Sequence, residues 1–361
     1  MAAQASSPPG ASPKSGSKSP AAGPNSPPHP QDDLIPADAE VDNGDDEDDN
    51  DSALGDENTS STASVASSIL NYRTINGRTF HSDRHNLEYF APNDERQNES
   101  VDITHHYLTL LLGGKLFLAP IKENIHRVLD IGTGTGIWSI DFADLYPGAS
   151  VTGTDLSPIQ PTWVPPNVRF EIDDATQPWT WPENNFDFVH LRYLFGSIAD
   201  WPELFRQAFF VCAPGGWVES GECEVDFISD DGTVEPDSAL ATWGRMCSEA
   251  GRKIGRPFTV VADGLQRKGL EEAGFVDIQE ADYKLPVGGW PQNRDLAETG
   301  QFVKLTLEND LEGYSFFLWN TILQWPKDEY QIFLMQTRKE LKNKNIHSYL
   351  RVKYVYGRKP T

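Results

Sequence analysis

The stretch VLDIGTGTG, Val128 to Gly136, joins an apolar run ending near the acid Asp130 to three glycines at alternate positions, Gly132, Gly134 and Gly136. With no Cβ atoms in the way, a ligand can lie against this backbone, and WSIDFADL then begins a helix whose N-terminal amides face the turn. The third glycine arrives one residue earlier than in the dinucleotide fingerprint G-x-G-x-x-G, which admits a pyrophosphate. An acid two residues before the first glycine suits a ligand carrying an ammonium group instead. A tight structural turn is the alternative reading of a lone glycine triplet.

Two further acids fall where such a ligand would need them. Asp155, in VTGTDLS, lies 19 residues past Gly136, where the next parallel strand should end. A carboxylate there can accept from both hydroxyls of a ribose. In FEIDDATQPWTW, Asp174 and Ala175 follow the third strand, where an acid can accept from an adenine amino group while a backbone amide meets a ring nitrogen. One adenosine would then span three strand ends. Asp173 and Asp174 capping a helix is the alternative.

The elements that must hold these residues alternate. Short apolar runs, RVLDI, SVTGTDL, VRFEID, FDFVHLRYLF and GGWVESGE, are separated by helical ones, SIDFADLY and ELFRQAFFV. Strands spaced by crossover helices imply βαβ units in a doubly wound, mostly parallel sheet. Upstream, VDITHHYLTLLLGGKLFLAPI places Val101, His105, Leu108 and Leu112 on one helical stripe that ends at Gly113-Gly114, a C-cap signal. Beyond residue 235 the pattern is helical through SALATWGRMCSEAGRKI and LQRKGLEEAGF, and SYLRVKYVYGRKP reads as a closing strand.

Composition divides the chain of 361 residues near residue 68. Residues 1–31 are mainly Pro, Ser, Ala and Gly, and 32–60 carry thirteen acids, so residues 1–68 read as a disordered acidic tail. One domain over 69–361 follows: a helical lid region at 69–125, a ligand-binding core at 126–225, and C-terminal helices and closing strands at 226–361. The first 70 residues hold two lysines against thirteen acids, net −11 of the chain's −24, so the remainder is acidic too at −13. An acidic domain repels phosphate backbones, and no direct nucleic-acid partner is expected. The tail could bind a basic partner such as a histone; a solubilising tail with no dedicated partner is the alternative.

Cys212, Cys223 and Cys247 show neither CxxC spacing nor a nearby His pair, which signals no zinc site and no disulfide framework. No signal-peptide h-region and no apolar run of the ~18 residues needed to span a bilayer is visible, so nucleus and/or cytoplasm is the expected location, neither secreted nor in a membrane.

These residues resemble the class I S-adenosylmethionine-dependent methyltransferases, and the resemblance runs on through FDFVHLRYLF and APGGWVE. More narrowly the chain is similar to the fungal LaeA-like family, in NGRTFH, FAPNDE, DITHHYLTLLLGGKLFLAPI, RVLDIGTGTGIWSIDFAD, GTDLSPIQPTWVPPNVRFEIDDA, PGGWVESGE and the terminal VYGRKP, over roughly residues 72–361. The resemblance implies a Rossmann-like fold with a seven-stranded, mostly parallel sheet and flanking helices. It also implies S-adenosyl-L-methionine as cofactor: Asp130, Gly132, Thr133, Gly134 and Gly136 against the methionine moiety, Asp155 with Leu156 at the ribose, Asp174 and Ala175 at the adenine. One departure stands out: where the family pattern has an Arg after PNDE, this sequence has Ser100, and a lid contact made by that Arg has no counterpart here.

Methyl transfer from a sulfonium is an in-line displacement, so positioning supplies much of the acceleration. An alcohol or phenol acceptor would need a base within hydrogen-bond reach. His190 and Tyr193 in FDFVHLRY and Glu222 in VESGE are the candidates, against the alternatives of a cofactor-pocket wall for His190, core for Tyr193 and a solvated edge for Glu222. His105 and His106 fall on a helix placed to close over the cofactor, or simply to pack. Trp163, Trp179, Trp181 and Trp201 could line an apolar acceptor cavity or pack as rigid turns.

Three functions are consistent with this. The first is a methyltransferase acting in fungal secondary metabolism on a small molecule or a protein. The second is a nuclear regulator that binds velvet-type partners and uses its domain chiefly for interaction. The third, an NAD-dependent oxidoreductase, needs a variant glycine spacing and finds no support in PGGWVESGE.

Overall fold

The computed structural model describes residues 72–81 and 89–361. The acidic tail expected over 1–68 lies outside the described residues. A short hairpin opens the described chain, β1 (Arg73–Ile75) and β2 (Arg78–Phe80), followed by helix α1 (Glu95–Leu111). Then come β3 (Arg127–Ile131), α2 (Ile137–Leu145), β4 (Ser150–Asp155), β5 (Val168–Ile172), β6 (Phe186–Arg192), α3 (Trp201–Val211) and β7 (Cys212–Cys223). The C-terminal part adds α4 (Ala239–Ile254), α5 (Leu265–Ala273), β8 (Val276–Pro286), α6 (Arg294–Phe317) continued by a π-helical turn, α7 (Lys327–Lys342) and β9 (Tyr349–Arg358).

Seven strands form one sheet in the order β5-β4-β3-β6-β7-β9-β8. The first five are parallel, while β9 runs antiparallel between β7 and β8. The chain builds outward from β3 to β5, then returns to place β6 on the other side of β3. That reversal is the topological switch point at which open α/β sheets bind ligands, beyond the carboxyl ends of the strands.

Both faces of the sheet are covered, as the continuous apolar runs require. Along β3, Val128 packs with Trp138 and Phe142 of α2 on one face, and Leu129 and Ile131 pack with Leu204, Phe205 and Ala208 of α3 on the other. A third apolar cluster joins α1, α4, α6 and α7 to the inner side of β9. Helix α1 ends where the glycines say it should: Gly113 and Gly114 have φ of +67° and +84°, and Gly114 N–H returns to Thr109 O at 2.8 Å.

The expected helices over SALATWGRMCSEAGRKI and LQRKGLEEAGF are α4 and α5, and the closing strand is β9. The hairpin β1–β2 and strand β8 carry no comparable signal. Strand β8 alternates, but at a sheet edge with charged outward residues, so it lacks the apolar run by which the central strands announce themselves. Among the described residues no helix is long and apolar enough to cross a membrane, no acidic or His/Cys cluster could hold a metal, and the three cysteines are free and buried.

Candidate functional site

A cavity of about 210 Å³ opens above the switch point. Its floor is the carboxyl end of β3, β4 and β6; its cover comes from the segment entering α1 and from Tyr314 on α6. Asp130, Gly132, Thr133, Gly134, Asp155 and Leu156 line it, as do Asp174, Ala175, His190 and Tyr193. The structure thus gathers residues spread over more than sixty positions of sequence around one space.

Gly136 and Glu222 are not among the lining residues. Gly136 stands at the N-terminus of α2 with φ +83°, and a Cβ there would collide with the Phe170 ring. Its missing side chain makes room for packing, whereas at Gly132 (φ +68°) it makes room for Leu194.

Asp130 and His190 face each other directly across the switch point, in register on β3 and β6. His190 Nδ1 lies 2.7 Å from Asp130 Oδ1, while Asp130 Oδ2 accepts from the hydroxyls of Thr133 at 2.6 Å and Ser139 at 2.9 Å. Burial would raise the Asp130 carboxyl, but His190 and the two hydroxyls hold it below its usual value. Burial pushes His190 the other way, below its ordinary value, with Asp130 offsetting only part of that. The pair therefore stands as a carboxylate and a neutral imidazole that donates through Nδ1. The Trp138 indole stacks on that imidazole at 3.7 Å with the planes 2° apart.

Asp155 ties the glycine turn to β4: Oδ2 accepts from Gly134 N–H at 2.9 Å and Oδ1 from Ser157 N–H at 3.0 Å. Burial pushes its carboxyl up to about 6 against those two donors. Each oxygen keeps a second lone pair for a hydroxyl. Asp174 uses Oδ1 for Thr176, whose N–H and hydroxyl donate at 2.9 and 2.7 Å, and leaves Oδ2 without a partner. No helix follows β5, so Asp174 caps none: it closes a local turn through Thr176 and keeps one oxygen unpartnered.

Asp174 Oδ2 is one of a group. Asn93 Oδ1, Gln97 Oε1, Asn98 Oδ1 and His190 Nε2 are also buried without a partner, and all five residues line the cavity. With Tyr193 OH and Ser197 Oγ, also unpartnered in the lining, that makes seven; buried polar atoms are nearly always satisfied, so seven orphans around one space mark where a ligand's hydrogen-bonding groups belong. Four of the seven are carbonyl or carboxylate oxygens, which can only accept and call for donors such as amino and hydroxyl groups on the ligand.

Sequence reasoning missed Asn93, Gln97 and Asn98. The run NDERQN offered the one available signal, amides just before and within the first turn of an amphipathic helix.

The cover is fastened by one guanidinium. Arg78 on β2 donates to both oxygens of Asp94, the N-cap of α1, at 2.5 and 2.7 Å. It also donates to both oxygens of Asp310 at 2.7 Å. Asp310 is fully buried at the kink of α6, with φ −137° and ψ 46°. Both segments that bring side chains over the cavity are thereby tied to the same hairpin.

Tyr193 lies in the cavity wall with φ +58°, a left-handed conformation that a bulky residue rarely adopts. Glu222, far from being a solvated edge, is fully buried and holds this turn: its oxygens accept from Leu194 N–H at 3.1 Å and Phe195 N–H at 3.0 Å. Burial pushes its carboxyl up to about 8 against those donors. Burial also pushes the Tyr193 hydroxyl well above its ordinary value.

None of Trp163, Trp179, Trp181 and Trp201 lines the cavity. Trp163 is 90% exposed, Trp201 is core, and Trp179 donates to Ala175 O and meets Trp181 edge to face. His106 packs on Phe302, and His105 binds Asp141.

Comparison with known proteins decides the family. The methyltransferase-domain family matches residues 86–280. The methyltransferase pytC of Aspergillus terreus is 38% identical over 302 residues, covering 83% of this chain and 92% of that protein. The secondary metabolism regulator LAE1 of Cochliobolus heterostrophus is 36% identical over 79% of this chain and 94% of its own. The chain belongs to the LaeA-like methyltransferases. A third relative, the protein-methionine methyltransferase laeA of Emericella nidulans, is 33% identical over 79% of this chain and 76% of its own.

The cofactor of this LaeA-like methyltransferase is S-adenosyl-L-methionine. The residues present fit it: the unpartnered acceptors suit its amino and hydroxyl groups, and the bare backbone at Gly132 and Gly134 leaves room beside the switch point.

Proposed function

We propose that this protein transfers the methyl group of S-adenosyl-L-methionine to a small-molecule acceptor of fungal secondary metabolism. In this reading Asp155 holds the ribose hydroxyls, with Leu156 beside it. Asp174 and Ala175 take the adenine edge, and the backbone of Gly132, Thr133 and Gly134 receives the methionine moiety. The ring of buried, unpartnered acceptors around the cavity carries the proposal.

When bound, the cofactor supplies an electrophilic methyl group on a sulfonium. The chain's own work is then to orient and to exclude water, which the cover tied down by Arg78 is built to do. The walls beside the cofactor region are aromatic at Tyr89, Phe90 and Phe195, suiting a flat apolar acceptor. Relatedness to pytC, a methyltransferase by name, supports the same reading.

A second reading has its own observation: two of the relatives are named for regulation or for protein methylation. It makes the acceptor a protein, with velvet-type regulators as partners.

Incubating the full chain with isotope-labelled S-adenosyl-L-methionine and the separated small-molecule and protein fractions of a fungal extract distinguishes the two. Label in the small-molecule fraction is the expected outcome. Label confined to protein overturns the proposal in favour of the second reading.

A further inference from the structure

His190 and Arg192 lie two residues apart on β6, so their side chains leave the same face of the strand about 7 Å apart, and both line the cavity. Their partners leave them chemically opposite. His190 spends Nδ1 on Asp130 and has Nε2 buried without a partner, its ring plane fixed by the Trp138 indole.

Arg192 is oriented without a carboxylate in contact. Its Nη2 lies 3.1 Å from His105 Nδ1, and His105 Nε2 lies 2.9 Å from Asp141 Oδ2. For both contacts to be hydrogen bonds, the imidazole must carry its hydrogen on Nε2, donate it to Asp141, and accept at Nδ1 from the guanidinium. An imidazole with one hydrogen has no charge to set against Arg192. Among the described residues no carboxylate lies within 4.0 Å of the Arg192 guanidinium; the buried Glu219 acts on it only from farther off, its Oε2 taken by the Leu118 and Ala119 N–H groups and its carboxyl pushed up to about 7 by burial.

A partly buried cation with no carboxylate in contact, facing a ligand cavity, is a site for an anion. Helix α1 supplies no cation at position 100: Ser100 is buried there, its hydroxyl donating to Arg96 O and accepting from Asn309 Nδ2. The cavity's other arginine, Arg256, donates to Ser197 O. Leu191 pairs with Ile131, so Arg192 emerges beside Gly132, at the start of the bare turn.

We propose that His190 and Arg192 together read the amino-acid end of the cofactor: His190 Nε2 accepts from the α-ammonium and the Arg192 guanidinium binds the α-carboxylate. The inference rests on the cofactor placement proposed above and adds to it. The acid that seemed from sequence to meet the ammonium, Asp130, acts one step back, holding the imidazole in the form whose Nε2 can accept. The nearby alternative source of a carboxylate is the methyl acceptor itself.

Calorimetric titration of the full chain with S-adenosylhomocysteine, its decarboxylated analogue and methylthioadenosine separates these cases. Methylthioadenosine lacks the whole amino-acid end, and the decarboxylated analogue retains only the amine. Wild type should bind S-adenosylhomocysteine roughly 10- to 100-fold more tightly than the decarboxylated analogue. Arg192→Met should abolish that preference by weakening S-adenosylhomocysteine alone, and Arg192→Lys should restore part of it. His190→Leu should weaken both amine-bearing ligands and leave methylthioadenosine unchanged.

The proposal is overturned if the decarboxylated analogue binds wild type equally well, or if Arg192→Met weakens all three ligands alike, as a merely structural role would. It is also overturned if Arg192→Met keeps the preference, which would assign Arg192 to the acceptor. Failure of all three ligands to bind wild type would instead remove the cofactor placement itself.

Discussion

His190 and Asp130 occupy paired positions on β6 and β3, and their side chains meet at 2.7 Å across the switch point of the sheet. The contact converts a strand register into a ligand site: backbone pairing sets the distance, burial keeps the imidazole neutral, and the carboxylate chooses which nitrogen holds the hydrogen. The first prediction concerns stability. Asp130→Ala leaves the imidazole N–H and the Thr133 and Ser139 hydroxyls without their shared acceptor in a buried place, a cost of about 2–4 kcal/mol. Urea unfolding monitored by tryptophan fluorescence should show the midpoint fall accordingly; an unchanged midpoint would mean that the pair carries no structural weight.

Stability should also depend on pH through carboxyls that do not line the cavity. Burial pushes Glu222 up to about 8 and Glu219 up to about 7, against backbone N–H donors in each case. The folded state therefore holds these protons more tightly than the unfolded chain, whose carboxyls sit near 4.5. Stability from this source is fully present below the unfolded value and is lost as pH rises through 7 and 8. Between pH 6 and pH 8 the loss for Glu222 alone is on the order of 2 kcal/mol. Wild type should melt several degrees higher at pH 6 than at pH 8, and Glu222→Gln should flatten the slope; a slope unchanged in that variant would assign the effect to other groups.

Arg78 gathers Asp94 and the fully buried Asp310 on one guanidinium. Removing the cation leaves a buried carboxylate with only Arg96 at 3.5 Å and the Gly313 N–H at 3.1 Å, a loss of about 3 kcal/mol or more. Arg78→Met should lower the melting temperature by roughly 5–10 °C. It should also weaken cofactor binding, because Asn93, Gln97 and Asn98 lose their anchor. Arg78→Lys should recover stability only in part, since one ammonium cannot reproduce the paired donors. Full recovery by lysine would show that charge alone fastens the cover.

The parts of this molecule legible in sequence are those whose residues answer to local physics. VLDIGTGTG announces strand, turn and helix because apolar burial on both faces and backbone freedom each demand particular residue types within nine positions. Gly113-Gly114 announces a helix end for the same reason. That Asp155 and Asp174 line the cavity was legible because strand ends recur at regular spacing. What stayed hidden depends on contacts far apart in the chain. Arg78 and Asp310 are 232 residues apart, and nothing near either one signals the other. Glu222 looked like an edge residue, whereas the turn after β6 claims both its oxygens. The tryptophans drew attention by their density, but density says nothing about which face of a wall they occupy.

The measurement that bears most directly on the account is calorimetric titration of the full chain with S-adenosyl-L-methionine and, separately, NAD, on wild type and on Asp155→Ala. Loss of the Asp155 carboxylate removes the bonds proposed to the ribose and leaves the Gly134 and Ser157 N–H groups without their acceptor. The expected cost is roughly 2–4 kcal/mol, 30-fold or more in Kd. The account predicts binding of S-adenosyl-L-methionine to wild type, no binding of NAD, and that loss in a variant that still folds. Equal affinity in the two proteins, or binding of NAD in its place, would contradict it.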